Sequence, residues 1–337
     1  VEFCQKMGAY NYVLRNEFIA AAGLTSCPPH LSCYTMETNK SRSGRLTHLG
    51  LLRFAGPDAL NFLQGQISND TQRLTPTSVL LAAYLNPQGR VLAVMHLLPH
   101  SSGTLAILPR ELLQPTAERM RKYVLRAKVK IDEPGESLVL SGYHSVDALR
   151  QAGLPVPAEG SAYVERDGIG VAKLGHDARH WVVAAANAQL EATEAAGIER
   201  DWRLADVQAG LPQVYGATSE AFVAQMLNLD LLDGISFNKG CYTGQEIVAR
   251  TQHLGRIKRR LFHLRLPSGS WRIGDEISLL DGRRGRLAEA IAGESGSEAL
   301  AVLTLEPQAA PEAGAADAAP AAAATAAEQV PLPYALA

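Results

Sequence analysis

Residues Asn238–Glu246 read NKGCYTGQE, and the amphipathic and basic run IVARTQHLGRIKRR follows at once. The pattern over GISFNKGCYTGQEIVART predicts a strand, a glycine-flanked loop and a helix. Glycine at both Gly240 and Gly244 suits a loop whose backbone approaches a ligand closely. Cys241 then sits just before a helix whose first turn carries Gln245 and Glu246. A helix N-terminus and the neighbouring Lys239 both favour a thiolate. A hydrolytic nucleophile also needs a base within reach. The nearest histidine in sequence, His253, lies about three turns along the same helix and is too far away. The thiol stays open to two readings, a reactive group or a small buried residue between two glycines.

The whole chain narrows the field. At 337 residues it can bury more than one core, so two or three domains are expected. A formal net charge of −2 excludes any global pull toward nucleic acid or anionic membrane, although a local patch can still act. Apolar runs such as SVLLAAYL and HWVVAAAN are far too short to span a bilayer, so no membrane association is expected. The first residues carry no basic head followed by a long apolar segment, and no signal peptide is expected. Three of the four cysteines fall within the first 33 residues, which is no disulfide framework, so a reducing cytoplasm is expected. Cys27, His30 and Cys33 in CPPHLSC match no standard zinc spacing and lack an evident fourth ligand; no metal site is assigned.

Along the chain, residues 1–44 show no sustained periodicity and read as an N-terminal extension. GPDALNFLQGQ predicts a helix with Ala59, Leu60, Phe62 and Leu63 on one apolar face and Gly65 closing it. SVLLAAYLNPQGRVLAVMHLLP predicts a β-hairpin about Asn86-Pro87-Gln88-Gly89. Strand TLAILP, helix ELLQPTAERMRKYVLR, strands AKVKID and SLVLSGYH, helix SVDALRQAG and strands GIGVAKLG and HWVVAAA follow the split βαβ order of a ferredoxin-like layer. Helices are expected over NAQLEATEAAG and DWRLADVQAG. The class is α+β, with two α+β lobes over 45–255. Repeated short strands over 256–306 predict a small C-terminal β-barrel. Residues 307–337 are Ala/Pro-rich and predict a disordered tail.

The motif residues offer further chemistry. Gln245 and Glu246 present amide and carboxylate groups suited to a planar heterocycle with alternating donors and acceptors. Arg256, Lys258, Arg259 and Arg260 could hold an anionic tail; a solvated strand edge is the competing reading.

KGCYTGQE with its trailing VAR and KR resembles the signature of the YgfZ family of folate-binding proteins. These are relatives of the glycine-cleavage T-protein, an aminomethyltransferase, and of a mitochondrial iron–sulfur maturation factor. FLQGQISND (Phe62–Asp70), LAAYLNPQGRV (Leu81–Val91) and RLADVQAGLP (Arg203–Pro212) match in the same order, so the resemblance covers roughly Arg45 to Glu306. It implies a T-protein-like ring of three lobes around a tetrahydrofolate-binding opening, with tetrahydrofolate as cofactor.

The resemblance also assigns residues. Trp202 falls where the family places a folate-flanking tryptophan; stacking on the ligand and anchoring the interior are the two readings of its indole. The family's other flanking tryptophan falls at Leu49, and the acid of its EAG motif is Gln208 here, which is implied at the cofactor site as a hydrogen-bonding group without the charge. Lys239, Tyr242, Gln245, Glu246 and Arg250 of the signature, with Lys258 and Arg259, are implied at the cofactor site, and Cys241 as a functional thiol. The T-protein carries an acidic pair just after its N-x-x-G hairpin, whereas Arg90 to Val94 contain no acid, so aminomethyl transfer is expected to be poor. The expected role is an accessory one for iron–sulfur enzymes or their assembly factors, radical tRNA-modifying enzymes included, with at most an indirect link to tRNA. The alternatives are a one-carbon transferase with a relocated acid, and a scaffold that hands on a cluster or thiol through Cys241.

Overall fold

The hairpin motif fixes the first sheet. Leu80–Leu85 and Val91–Leu98 fold back on each other about Asn86–Gly89, where Gly89 takes a positive φ of 70° that only glycine adopts without strain. Both strands are almost wholly buried, which explains their near-continuous apolar sequence. The computed structural model describes residues 43–175, 178–188, 197–253, 255–293, 295–307 and 324–336. The extension over 1–44, with Cys4, Cys27, His30 and Cys33, lies almost entirely outside the described residues. The helix expected over NAQLEATEAAG lies largely outside them too.

The chain enters through β1 (Ser43–Arg45) and β2 (Leu49–Ala55), which join different sheets. β2 pairs with β5 (Thr104–Pro109) and β6 (Lys130–Asp132); with β3 (Leu80–Leu85) and β4 (Val91–Leu98) they make an antiparallel sheet in the order β3-β4-β5-β2-β6. β1 instead edges a second antiparallel sheet with β7 (Leu138–Tyr143), β8 (Tyr163–Arg166), β9 (Ile169–Lys173) and β10 (His180–Ala185), ordered β1-β7-β10-β9-β8. The class is α+β, as expected. The strands read as one ferredoxin-like layer are divided between these two sheets. The strand Tyr163–Arg166 is absent from the sequence reading, and register between distant strands decides which sheet each joins, information that local periodicity does not carry.

Among the described residues five helices accompany the sheets: α1 (Ala59–Gln64), α2 (Leu113–Arg121), α3 (Val146–Gln151), α4 (Ile198–Gln208) and α5 (Gln245–His253). α1 buries Ala59, Phe62 and Leu63 as predicted, whereas Leu60 is 41% exposed and lies off that face. α2 ends at Arg121, so YVLR falls beyond it. Among the described residues, no helix is long and apolar enough to cross a membrane.

The C-terminal strands β11 (Arg259–Leu266), β12 (Glu276–Ser278), β13 (Arg284–Ala292) and β14 (Ser297–Thr304) do not close into the expected barrel. They form a five-stranded sheet whose ladders run in the order β12-β13-β14-β11-β15. Its last member, β15 (Glu328–Val330), comes from the segment read as disordered tail, and pairs antiparallel with β11 from His263↔Val330 to Arg265↔Glu328. A single bridge, Leu279↔Thr325, ties this segment to the far edge after β12. Leu332 packs on the core of the first sheet and Leu336 on that of the third. Val330, Leu332, Tyr334 and Leu336 recur at every second position, an extended-chain signal that the Ala/Pro composition masked.

Candidate functional site

Lys239 fixes the signature loop. Its side chain is buried, and its ammonium donates to the carbonyls of Gln64 (2.7 Å), Ile67 (2.8 Å) and Asn69 (2.8 Å). Gln64 is the last residue of α1, so the ammonium takes carbonyls at and just beyond that helix end, which have no helical partner. A lysine has three donors, and all are used. Burial lowers its pKa to about 8, with Asp70 opposing the shift. The same Phe62–Asp70 motif is held by Ser68 Oγ donating to Gly234 O (2.6 Å) and Asn69 Nδ2 to Asp233 O (2.7 Å). FLQGQISND and NKGC, remote in sequence, are one stitched unit.

Tyr242 is the second anchor. It is buried in the core of the first sheet, burial raises its phenol pKa to about 12, and the Lys239 ammonium stands 4.8 Å from its ring centroid. Between the anchors, Gly240 and Cys241 are exposed. The buried-filler reading of Cys241 therefore fails. Gly244 takes φ +80°, and a Cβ there would meet Asn86 O at 2.6 Å, so the loop lies directly on the hairpin turn. Gly240 has no such demand: a Cβ would meet nothing within 4 Å. Gly244 needs its glycine for the hairpin turn it packs on, not for a ligand, and Gly240 shows no steric need of one. No strand forms over Gly234–Phe237, and α5 starts at Gln245, with Tyr242, Thr243 and Gly244 between it and the thiol.

The remaining signature residues diverge. Gln245 is half-buried, whereas Glu246 and Arg250 are exposed on α5. The basic cluster is split by strand alternation. Arg260 is buried and binds Asp230 through two hydrogen bonds (2.6 and 2.9 Å), while Lys258 and Arg259 are exposed and Arg256 pairs with Glu306 (2.6 Å). Asp230 was missed from the sequence, as were Gln225, whose amide donates to Val248 O in α5, and Asn228, whose amide donates to Leu261 O.

Trp202 lies elsewhere. It is fully buried in the core cluster of Leu46, Leu105 and Trp181, not in that of Tyr242. The Arg179 guanidinium stands 4.8 Å from its ring centroid, Trp181 is tilted at 6.3 Å and His144 is edge-on at 5.5 Å. A Cβ on Gly142 would strike the indole at 2.4 Å. In this conformation the indole has an interior role. Leu49 is buried, and it lines a cleft of about 280 Å³ between β2 and β7 with Arg45, Arg110 and Glu136. Gln208 is exposed at the end of α4. Around Trp202 several enclosed ring nitrogens make no hydrogen bond: Trp202 Nε1, Trp181 Nε1, His96 Nδ1 and both nitrogens of His48.

No protein-family model matches the chain. The tRNA-modifying protein YgfZ of Colwellia psychrerythraea is 31% identical over 226 residues, which cover 65% of this chain and 70% of that protein. The chain belongs to the YgfZ family. The YgfZ of Escherichia coli O157:H7 is 30% identical over 271 residues, covering 75% of this chain and 82% of its own. Among solved structures, the glycine cleavage system aminomethyltransferase T of Bartonella henselae is similar with a TM-score of 0.60 over 79% of each chain, and at 16% identity it shares the fold.

In this YgfZ-family chain the signature loop therefore has a division of labour. Lys239, Tyr242 and Gly244 hold the backbone, and Cys241 is what the loop displays. Among the described residues, no group of three or more His, Cys, Asp or Glu side chains gathers to hold a metal. The thiol can act as a nucleophile or contribute one ligand, with no further ligand gathered beside it among the described residues. Arg90, at the position following the hairpin turn, donates from its guanidinium to Ala221 O (3.0 Å), and Val91–Val94 behind it are buried and apolar.

Proposed function

We propose that this YgfZ-family chain is a cytoplasmic tetrahydrofolate-binding accessory protein that supports iron–sulfur enzymes, tRNA-modifying ones among them. The observation that carries the reading is an exposed Cys241 held between two buried anchors, Lys239 and Tyr242. A thiol fixed in position at the surface, with no base beside it among the described residues, suits transient ligation of a client's cluster iron better than hydrolysis. The names of the curated relatives supply the link to tRNA modification.

The tetrahydrofolate reading rests on the signature motifs that the chain shares with the folate-binding family, and Trp202 stays in the interior. Bound tetrahydrofolate would supply an amine that accepts a one-carbon unit. Exposed Lys258 and Arg259 would draw its carboxylate tail. The aminomethyltransferase fold favours the alternative of one-carbon transfer. Against it, Arg90 and an apolar strand occupy the place of the transferase acid.

The test uses Cys241→Ser in cells and in vitro. Activity of iron–sulfur tRNA-modifying enzymes is expected to fall while the melting temperature and tetrahydrofolate affinity stay at parental values. Normal client activity would remove the chemical role of the thiol, and formation of methylene-tetrahydrofolate from an aminomethyl donor would establish the transferase reading instead.

A further inference from the structure

The most basic stretch of the chain lies outside the signature. Residues Arg119–Lys130 read RMRKYVLRAKVK, six cations and no acid in twelve residues, in a chain whose formal net charge is −2. α2 ends inside the stretch at Arg121, and the chain then runs over the surface to β6. Three of the cations have local work. Arg119 pairs with Glu220 (3.3 Å), Arg121 donates to Ile131 O (2.8 Å), and Lys130 pairs with Asp132 (3.0 Å). Lys122, Arg126 and Lys128 are exposed and have no acidic side-chain partner among the described residues. The nearby Asp58 carboxylate is engaged by the backbone N–H of Lys128 (2.7 Å).

Two large apolar side chains stand in the open among these charges, Tyr123 at 46% and Leu125 at 87% exposure. Solvated basic loops need no aromatic ring, and folding gains nothing from leaving one in water. A cation-rich segment with an exposed aromatic is the pairing that binds a phosphate backbone while stacking on unpaired bases. The segment also touches the signature's support: Glu220, the partner of Arg119, donates its N–H to Val91 O at the root of the hairpin whose Gly89 meets Ile247 of α5.

We propose that Arg119–Lys130 is an RNA-binding surface, with Lys122, Arg126 and Lys128 on phosphates and Tyr123 on an unpaired base. The choice of RNA over other polyanions rests on the tRNA-linked reading above. The RNA contact itself stands on the charge, exposure and aromatic content of the segment.

The full chain and two variants, Lys122→Ala/Arg126→Ala/Lys128→Ala and Tyr123→Ala, are titrated against a fluorescently labelled, unmodified tRNA transcript over a range of salt. The parent is expected to bind in a salt-dependent way. The triple variant should lose at least about tenfold in affinity and roughly two units of the log–log salt slope. Tyr123→Ala should lose about fivefold or more, with the salt slope unchanged. Parental melting temperatures show that both variants fold. Absence of tRNA binding by the parent, parental affinity in the triple variant, or binding only to phosphatidylserine vesicles would each overturn the proposal. Tetrahydrofolate binding is followed on the same samples. If folate binds and tRNA does not, this inference alone fails; if tRNA binds and folate does not, the folate reading fails and this one stands.

Discussion

A Cβ on Gly244 would lie 3.1 Å from the Cα of Gly89 and 2.6 Å from Asn86 O, so the signature loop and the hairpin turn meet glycine to glycine. Both residues have positive φ, which adds backbone strain to the steric conflict for any larger residue. Gly244→Ala and Gly89→Ala are each expected to cost at least about 1–3 kcal/mol in urea unfolding. Gly240→Ala, with open space around it, should unfold at the parental midpoint. Equal losses at all three positions would contradict this geometry.

Lys239→Met keeps the length of the side chain and removes all three donors. Carbonyls of Gln64, Ile67 and Asn69 would be left facing an apolar side chain, and buried unsatisfied polar groups cost about 1–3 kcal/mol each. A loss of at least about 2 kcal/mol is expected. Lys239→Arg should not rescue it, because a planar guanidinium cannot aim three donors at this tripod. Wild-type stability in Lys239→Met would return the lysine to a ligand-binding role.

The buried Arg260–Asp230 pair calls for a double-mutant cycle. Arg260→Met should cost about 3–5 kcal/mol, because it strands a buried carboxylate. Adding Asp230→Leu should recover much of that loss. Additive losses would mean that the two side chains do not depend on each other.

Two histidines give the fold a pH signature. Burial first, then Arg203 and Arg110, hold His48 at a pKa of about 4; burial and then Arg179 hold His96 at about 4. The unfolded chain takes up a proton at each near the ordinary value of 6.5, which the folded chain resists until about 4. Their contribution is complete above 6.5 and is lost as the pH falls through that window. The melting temperature should drop more steeply between about pH 6.5 and 5, where ordinary carboxylates barely titrate, in the parent than in His48→Gln/His96→Gln. Parallel curves would place these rings in contact with water.

The sequence makes the local features legible. The α1 helix with its Gly65 stop, the β3–β4 hairpin and α4 all carry periodic patterns or turn residues that act over a few positions. The signature loop was found for the same reason. The role of Lys239 was hidden because its three acceptors lie 170 to 175 residues away, and no periodicity encodes such a contact. Arg260 read as one of four equivalent charges until strand alternation turned it inward to Asp230. Leu60 was placed on the core by helix spacing, yet the core around α1 is narrower than the apolar stripe. Trp202 carried two readings, and burial favours the interior one.

Anyone shortening this chain by composition would cut after Glu306, and the docking of residues 324–336 turns that choice into a hazard. β15 covers one side of β11, and Tyr334 Oη donates to Gly210 O (2.8 Å) at the end of the Arg203–Pro212 motif. Cutting there would bare the backbone donors and acceptors of His263 to Arg265 along a strand edge, the kind of surface that recruits another chain. It would also uncover Gly210, against which Leu332 and Tyr334 pack. A protein ending at Glu306 should elute from a sizing column as concentration-dependent aggregates, where the full chain elutes as one species. A purification handle placed after Ala337 would hang from a segment that the fold uses as a seam.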